Sequence, residues 1–331
     1  MKKRVLITIS KYNSRLNSIA ERLEELGYSV SWKPAARYAE SESIENGRGF
    51  HAIIAGIEPY SKAVLEELSG TLKVLSRFGV GYDNVDVEAA TKLGIAVTTT
   101  PDSMSGGVAD HALTMMLALG RRLVIHDANM KVGVWDPSQL GRELEGSTVG
   151  LVGFGKIGQC LAKYLMGFDC RLLVYDIAVP DDVLKRYNAI RSDLDTIARE
   201  SDYVSLHVPL QESTRGLIDK SFLSKMKPTA FLINTSRGKV VNESDLVDAL
   251  KAKIIAGAGL DVFEFEPLDN SSELLKMENV ILTPHIASAT IQSFQAAGQV
   301  AVTNVHDVLS GRIPKYILNP DYAGSHNVHF L

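Results

Sequence analysis

Short runs of apolar residues, rich in Val, Ile and Leu, alternate along this chain with longer segments whose apolar positions recur at helical spacing. That alternation predicts α/β folding around parallel sheets, because strands buried on both faces read as continuous apolar runs and crossover helices show one apolar stripe. In the first hundred residues VLITI (5–9), HAIIAG (51–56), LKVLSRF (72–78) and GIAVTT (94–99) are expected as strands. SRLNSIAERLEELG (14–27), SKAVLEEL (61–68) and VEAATKLG (87–94) are expected as helices ending in glycine-bearing turns.

Pro101 punctuates the chain, and the segment from Asp102 to Leu123 then reads as one long helix, with apolar residues at i, i+3, i+4 and i+7. A second α/β series follows, with strands expected near 148–153, 171–175, 203–207, 230–234, 254–260 and 279–282. A last helix is expected over roughly 289–310. There is no internal repeat and no low-complexity stretch.

Composition adds bounds. At 331 residues the chain exceeds what one hydrophobic core usually organises, so two domains are expected. Hydrophobic residues at 45% and charged residues at 22% are ordinary for a globular protein. A net charge of −4, with Lys and Arg dispersed, argues against nucleic-acid or membrane-surface partners. The basic start MKKR precedes an apolar run too short for a signal peptide, and no segment approaches the ~20 apolar residues that cross a bilayer. Cys160 and Cys170 read as two buried free thiols, and the expected location is the cytoplasm.

The sharpest local motif is Gly153-Phe154-Gly155-Lys156-Ile157-Gly158. Alone it is weak, but it follows an apolar strand and opens an apolar helix. In that setting Gly153 allows a tight turn, Gly155 lets backbone amides approach a pyrophosphate, and Gly158 lets helix pack on strand. The helix N-terminus offers N–H groups and partial positive charge to the phosphate. The next strand ends in Asp176, eighteen residues after Gly158, placed to bond ribose hydroxyls and repel a 2′-phosphate. No Arg or Lys follows at once, so NAD is expected rather than NADP.

Three later apolar runs each end in polar residues, where open α/β sheets bind ligands. They present Arg237, then Asp261 with Glu266, then His285 beside Pro284. Each could be an ordinary structural group: a helix cap, a solvated turn acid, a loop histidine. Together they suit hydride transfer at a carbonyl next to a carboxylate. Arg237 grips the carboxylate bidentately, His285 gives or takes the carbonyl proton, and Glu266 orients the imidazole.

With these residues in view, the sequence resembles the D-isomer-specific 2-hydroxyacid dehydrogenase family. The resemblance rests on RFGVGYDNVDVEAATKLGIAVTTTP, VADHALTMMLALGRR, TVGLVGFGKIG, HVPLQESTRGLID, INTSRGKVVNESDLVDAL, GLDVFEFEPL and TPHIASAT, which span nearly the whole chain in order. It implies a Rossmann NAD domain (102–285) inserted in a smaller flavodoxin-like substrate domain (1–101 and 286–331), with a cleft between them. It implies catalytic roles for Arg237, Glu266 and His285, and a nicotinamide-amide role for Asp261. Further cofactor contacts are implied at Val80, Gly153, Gly155, Lys156, Ile157, Gly158, Asp176, His207, Val208, Pro209, Thr214, Thr235, Ser236 and Ala287. Arg77, Val80, Gly81 and Arg237 are implied as substrate contacts. The partner is a small 2-hydroxy or 2-keto acid, and a homodimer is implied, with the helix after Pro101 in its interface.

Within that family the likeness is nearest to phosphoglycerate dehydrogenases, since Arg77 falls where those enzymes bind phosphate. That implies oxidation of D-3-phosphoglycerate to 3-phosphohydroxypyruvate, in serine biosynthesis. Ala55-Gly56 stands where many of them carry a second arginine, and with so few residues after IPKYILNP their C-terminal regulatory domain is not expected. Reduction of hydroxypyruvate, glyoxylate or another 2-keto acid therefore stays open. So do a non-carboxylate substrate such as phosphite and an NAD(H)-sensing corepressor role. His326 and His329 lack a third ligand, so no metal site is expected.

Overall fold

The computed structural model describes residues 2–9, 18–35, 39–101 and 103–325. Residues 14–17 of the first expected helix, and His326 and His329, lie outside them. The chain divides into two compact units, Met1–Met104 with Ala289–Leu331, and Ser105–Ser288.

The first unit carries strands β1 (Arg4–Ile7), β2 (Ser29–Trp32), β3 (Ala52–Ala55), β4 (Val74–Arg77) and β5 (Ala96–Thr98). They form a parallel five-stranded sheet in the order β2-β1-β3-β4-β5, the flavodoxin-like winding. Because strand side chains alternate, Val5 and Ile7 enter one core and Leu6 the other. The first core is closed by the helix Ile291–Leu309 through Phe294, Ala297, Ala301 and Val305. Burial of Phe294 or Val305 contributes about 1.5–3 kcal/mol each, and each alanine less.

The second unit carries β6 (Thr148–Val152), β7 (Arg171–Tyr175), β8 (Ala189–Arg191), β9 (Tyr203–Leu206), β10 (Phe231–Asn234), β11 (Gly257–Leu260) and β12 (Val280–Leu282). Its parallel seven-stranded sheet runs β12-β11-β10-β9-β6-β7-β8, the doubly wound Rossmann order. Here too both faces are covered: Val152 and Leu206 face one core, Val149 and Leu151 the other.

The expected strands all form, most of them shortened at one or both ends and β7 over its expected range. Two strands the apolar pattern did not predict, β2 and β8, lie on sheet edges, where a strand needs only partial burial and so carries polar residues. The long helix after Pro101 is not continuous. It runs Ser105–Gly120, turns at Arg122, whose φ of 52° is left-handed, and resumes over Leu123–Lys131. The apolar spacing carries on as far as Leu123, so periodicity alone could not place the turn at Arg122. Cys160 and Cys170 are free but half-buried rather than buried. Burial, with the Asp169 charge, pushes the Cys170 thiol up to about 11. No described helix is long and apolar enough to cross a membrane.

Candidate active site

In the second unit the singled-out residues lie at the carboxyl ends of strands, in sheet order. Asp176 follows β7, Gly153 follows β6, His207 follows β9, Thr235 to Arg237 follow β10, Asp261 follows β11, and Thr283 to His285 follow β12. Parallel pairing brings these ends to one edge, although they come from well over a hundred residues of chain.

The glycine turn is shaped by its neighbours. Gly153 has φ +96°, and a Cβ there would lie 2.7 Å from the His207 carbonyl carbon and oxygen. Gly155 faces open space, with nothing within 4 Å of where its Cβ would be. The ten-residue helix Lys156–Leu165 starts at once, its N-terminus beside that space. The Asp176 carboxylate reaches back to the turn: Oδ2 accepts the Phe154 N–H at 2.7 Å, while Oδ1 accepts those of Ala178 and Val179 at 2.8 Å each.

Beside the turn, two buried polar atoms lack a protein partner, His207 Nδ1 and Thr235 Oγ1. They stand at the ends of adjacent strands, β9 and β10. Orphaned groups of this kind mark where a ligand supplies hydrogen bonds. His207 Nε2 pairs with Ser205 Oγ at 3.0 Å, and burial pushes the imidazole down to about 4, so the ring is neutral. Val208 and Pro209 continue that loop, and Thr214 braces it by donating to the Pro209 carbonyl at 2.6 Å. An open glycine turn, a helix N-terminus, an acid after the second strand and orphaned polar atoms together fit a dinucleotide.

The loops after β10, β11 and β12 form the other half of the site. His285 Nδ1 and Glu266 Oε2 are 2.7 Å apart. Burial raises the Glu266 carboxyl, but the His285 hydrogen bond and charge, the Phe263 N–H and the Arg237 charge together outweigh it, holding it below the usual range. Glu266 is therefore ionised at neutral pH, and His285 Nδ1 carries the proton between them. Glu266 thus feels the Arg237 charge as well as the His285 ring. Gly238 makes this possible: a Cβ there would sit 1.9 Å from the Phe263 carbonyl, so only glycine lets the Arg237 loop lie against the Glu266 loop. Asn234 secures the Arg237 loop, accepting from Ser236 N at 3.0 Å and donating to the Arg237 carbonyl at 2.9 Å.

His285 itself has φ 51°, an uncommon left-handed conformation for a residue with a side chain. Asp261, wholly buried, holds that backbone. Its Oδ1 accepts from Thr283 Oγ1 at 2.6 Å and Ile286 N at 2.7 Å, and its Oδ2 from Ala287 N at 2.7 Å. Sequence reasoning did not find this bracing role, nor His111, whose Nε2 lies 3.0 Å from Thr283 Oγ1. An Asp directly after a glycine-rich strand was the available signal for the first; His111 offered none.

In the first unit, Val80 and Gly81 lie in the loop beyond β4, with Val80 exposed. Arg77 is the residue expected as a phosphate contact. It is 6% exposed, and its Nη1 donates to the Phe78 carbonyl at 2.5 Å, tucked against Gly79. Glu58 is buried in the same unit, accepting from Thr8, from Gly56 N at 3.1 Å and from the Tyr60 hydroxyl at 3.1 Å. Both charges act on the Tyr60 phenol, which burial and then Glu58 raise well above its ordinary value.

Comparison with known proteins gives consistent results. Residues 113–287 match the family described as D-isomer specific 2-hydroxyacid dehydrogenase, NAD binding domain. The chain is 40% identical over 302 residues to a glyoxylate reductase of Thermococcus litoralis, covering 89% of this chain and 91% of that one. It is 43% identical over 299 residues to one of Thermofilum pendens, covering 88% and 87%. Among solved structures, the TT0316 protein of Thermus thermophilus superposes with a TM-score of 0.84 at 35% identity, covering 95% of this chain and 99% of that one.

Proposed function

This chain belongs to the D-isomer specific 2-hydroxyacid dehydrogenase family, and on that premise we propose that it reduces glyoxylate or a similarly small 2-keto acid with NADH. The observation that carries the chemistry is the 2.7 Å contact between His285 and an ionised Glu266, within reach of the Arg237 charge.

NAD(H), when bound, supplies or receives the hydride. Arg237 holds the substrate carboxylate with its planar fork, which fixes the neighbouring carbonyl carbon in place. His285, oriented through Nδ1, protonates the carbonyl oxygen from Nε2 and recovers that proton in the reverse direction. Glu266 keeps its negative charge beside the ring and stabilises the protonated imidazole. His207 Nδ1 and Thr235 Oγ1, which lack protein partners, would hydrogen-bond the coenzyme, and Asp176 would hold its ribose hydroxyls.

The choice of an unphosphorylated acid rests on two supports. Relatives covering most of this chain are glyoxylate reductases. Arg77, the residue that suggested a phosphorylated substrate, is 6% exposed, and its Nη1 donates to the Phe78 carbonyl.

A second copy of the chain covers the segment after Gly120. The helix Leu123–Lys131 buries none of its residues, and beyond it Trp135 and Leu140 are 80% and 85% exposed. An apolar surface of this kind favours a homodimer. Two free thiols and dependence on NADH fit the cytoplasm.

The test is NADH oxidation with glyoxylate, hydroxypyruvate, pyruvate and 3-phosphohydroxypyruvate. The expected result is a higher kcat/KM for the unphosphorylated acids, falling about 100-fold in Arg237→Lys with NADH affinity unchanged. Preference for the phosphorylated acid overturns the substrate assignment. NADH binding without turnover of any acid favours a sensing role instead.

A further inference from the structure

The segment from Asp176 to Asp181, joined to the glycine turn through Asp176, is held from two sides. Its N–H groups face Asp176, whose carboxylate takes those of Ala178 and Val179 as well as the Phe154 N–H of the turn. Its carbonyl groups face Arg191. Nη1 donates to the Asp176 carbonyl at 3.2 Å and Nη2 to the Val179 carbonyl at 2.6 Å. Nε and Nη2 also bond Asp181 Oδ1, at 3.1 and 2.6 Å. Arg191 reaches the segment because β8 pairs with β7, Val174 opposite Arg191.

We propose that Arg191 is the positioning residue for the adenosine end of the coenzyme, fixing the 176–181 segment so that the Asp176 carboxylate is held ready for the ribose. A carboxylate has about four acceptor positions. Backbone N–H groups of this segment and the glycine turn occupy three of them, so the direction of the remaining acceptor depends on where the segment lies. Only a guanidinium can bridge the Asp176 carbonyl, the Val179 carbonyl and Asp181 at once, because its donors are fixed in a fork. The Arg191–Asp181 ion pair is 44% and 75% exposed and adds little by itself. The carbonyl bonds are what orient the segment.

This inference rests on the NAD reading of the glycine turn, and the experiment separates the two. NADH affinity is measured by fluorescence titration, and KM and kcat are measured with a saturating 2-keto acid. Arg191→Gln is expected to raise both the Kd and the KM for NADH about tenfold, with kcat at saturating NADH within about twofold of the wild type. Arg191→Lys keeps one donor and is expected to recover part of the loss. Asp181→Asn, which keeps the carbonyl bonds, is expected to raise the KM no more than about threefold. An unchanged NADH KM in both Arg191 variants overturns the proposal, and so does Asp181→Asn matching Arg191→Gln. A wild-type protein that binds no NADH overturns the coenzyme reading with it.

Discussion

Glu266 Oε2 and His285 Nδ1 meet at 2.7 Å, although nineteen residues separate them in the chain. The contact joins the loop after β11 to the loop after β12, so it exists only because those strands are paired.

Replacing Glu266 by Gln keeps the shape and removes the charge. Turnover is expected to fall by roughly 100-fold, with the keto-acid KM less affected, because the ring loses its orientation and the partner of its protonated form. Glu266 is held below the usual carboxylate range in the folded protein. Its contribution to stability is therefore fully present above the ordinary glutamate value and is lost as pH falls through the depressed one. Thermal melts of wild type and variant should differ at neutral pH and converge in acid; a constant difference down to pH 3 contradicts this.

Asp261→Asn places an amide where only acceptors fit. The donors Thr283 Oγ1, Ile286 N and Ala287 N all point at the buried carboxylate, and an NH2 group cannot receive them. The expected cost is about 1–3 kcal/mol of stability. Turnover should fall further than the melting temperature suggests, since the left-handed His285 backbone hangs on this loop. Denaturant unfolding alongside kcat tests it, and a destabilised variant with normal kcat would remove Asp261 from the support of His285.

His207 gives the protein an acid sensitivity. Burial pushes its imidazole down to about 4, whereas the unfolded chain takes up a proton in the ordinary imidazole range. The unfolded state then binds more protons between those limits, so stability falls as pH drops from about 6.5 towards 4, by up to roughly 3 kcal/mol. His207→Asn should flatten that slope while remaining folded at neutral pH. An identical pH dependence of unfolding in both proteins excludes His207 as its source.

Introducing charge into the exposed apolar segment should break the proposed dimer. Trp135→Glu with Leu140→Glu alters side chains that are exposed in the single chain, so folding should survive. Size-exclusion chromatography with light scattering is expected to give a dimer for the wild type and a monomer for the variant. A monomeric wild type rules the interface out.

The sequence by itself determined what depends on local pattern: ten of the strands as apolar runs, the glycine turn, Asp176 at the end of the following strand, and polar residues 237, 261, 266 and 285 after buried runs. Those signals survive in one dimension because burial and glycine's freedom act residue by residue. Only the tertiary structure decided the rest. Edge strands β2 and β8 carry little apolar signal, and a left-handed Arg122 ends a helix that the apolar spacing carries to Leu123. Gly238 lying against Phe263, Asp261 bracing the His285 loop, Arg191 clasping the Asp176 segment and Arg77 folding onto its own backbone are all close approaches. Hydrogen bonds act over about 3 Å, so which groups meet is set by strand order and register, and spacing along the chain does not encode either.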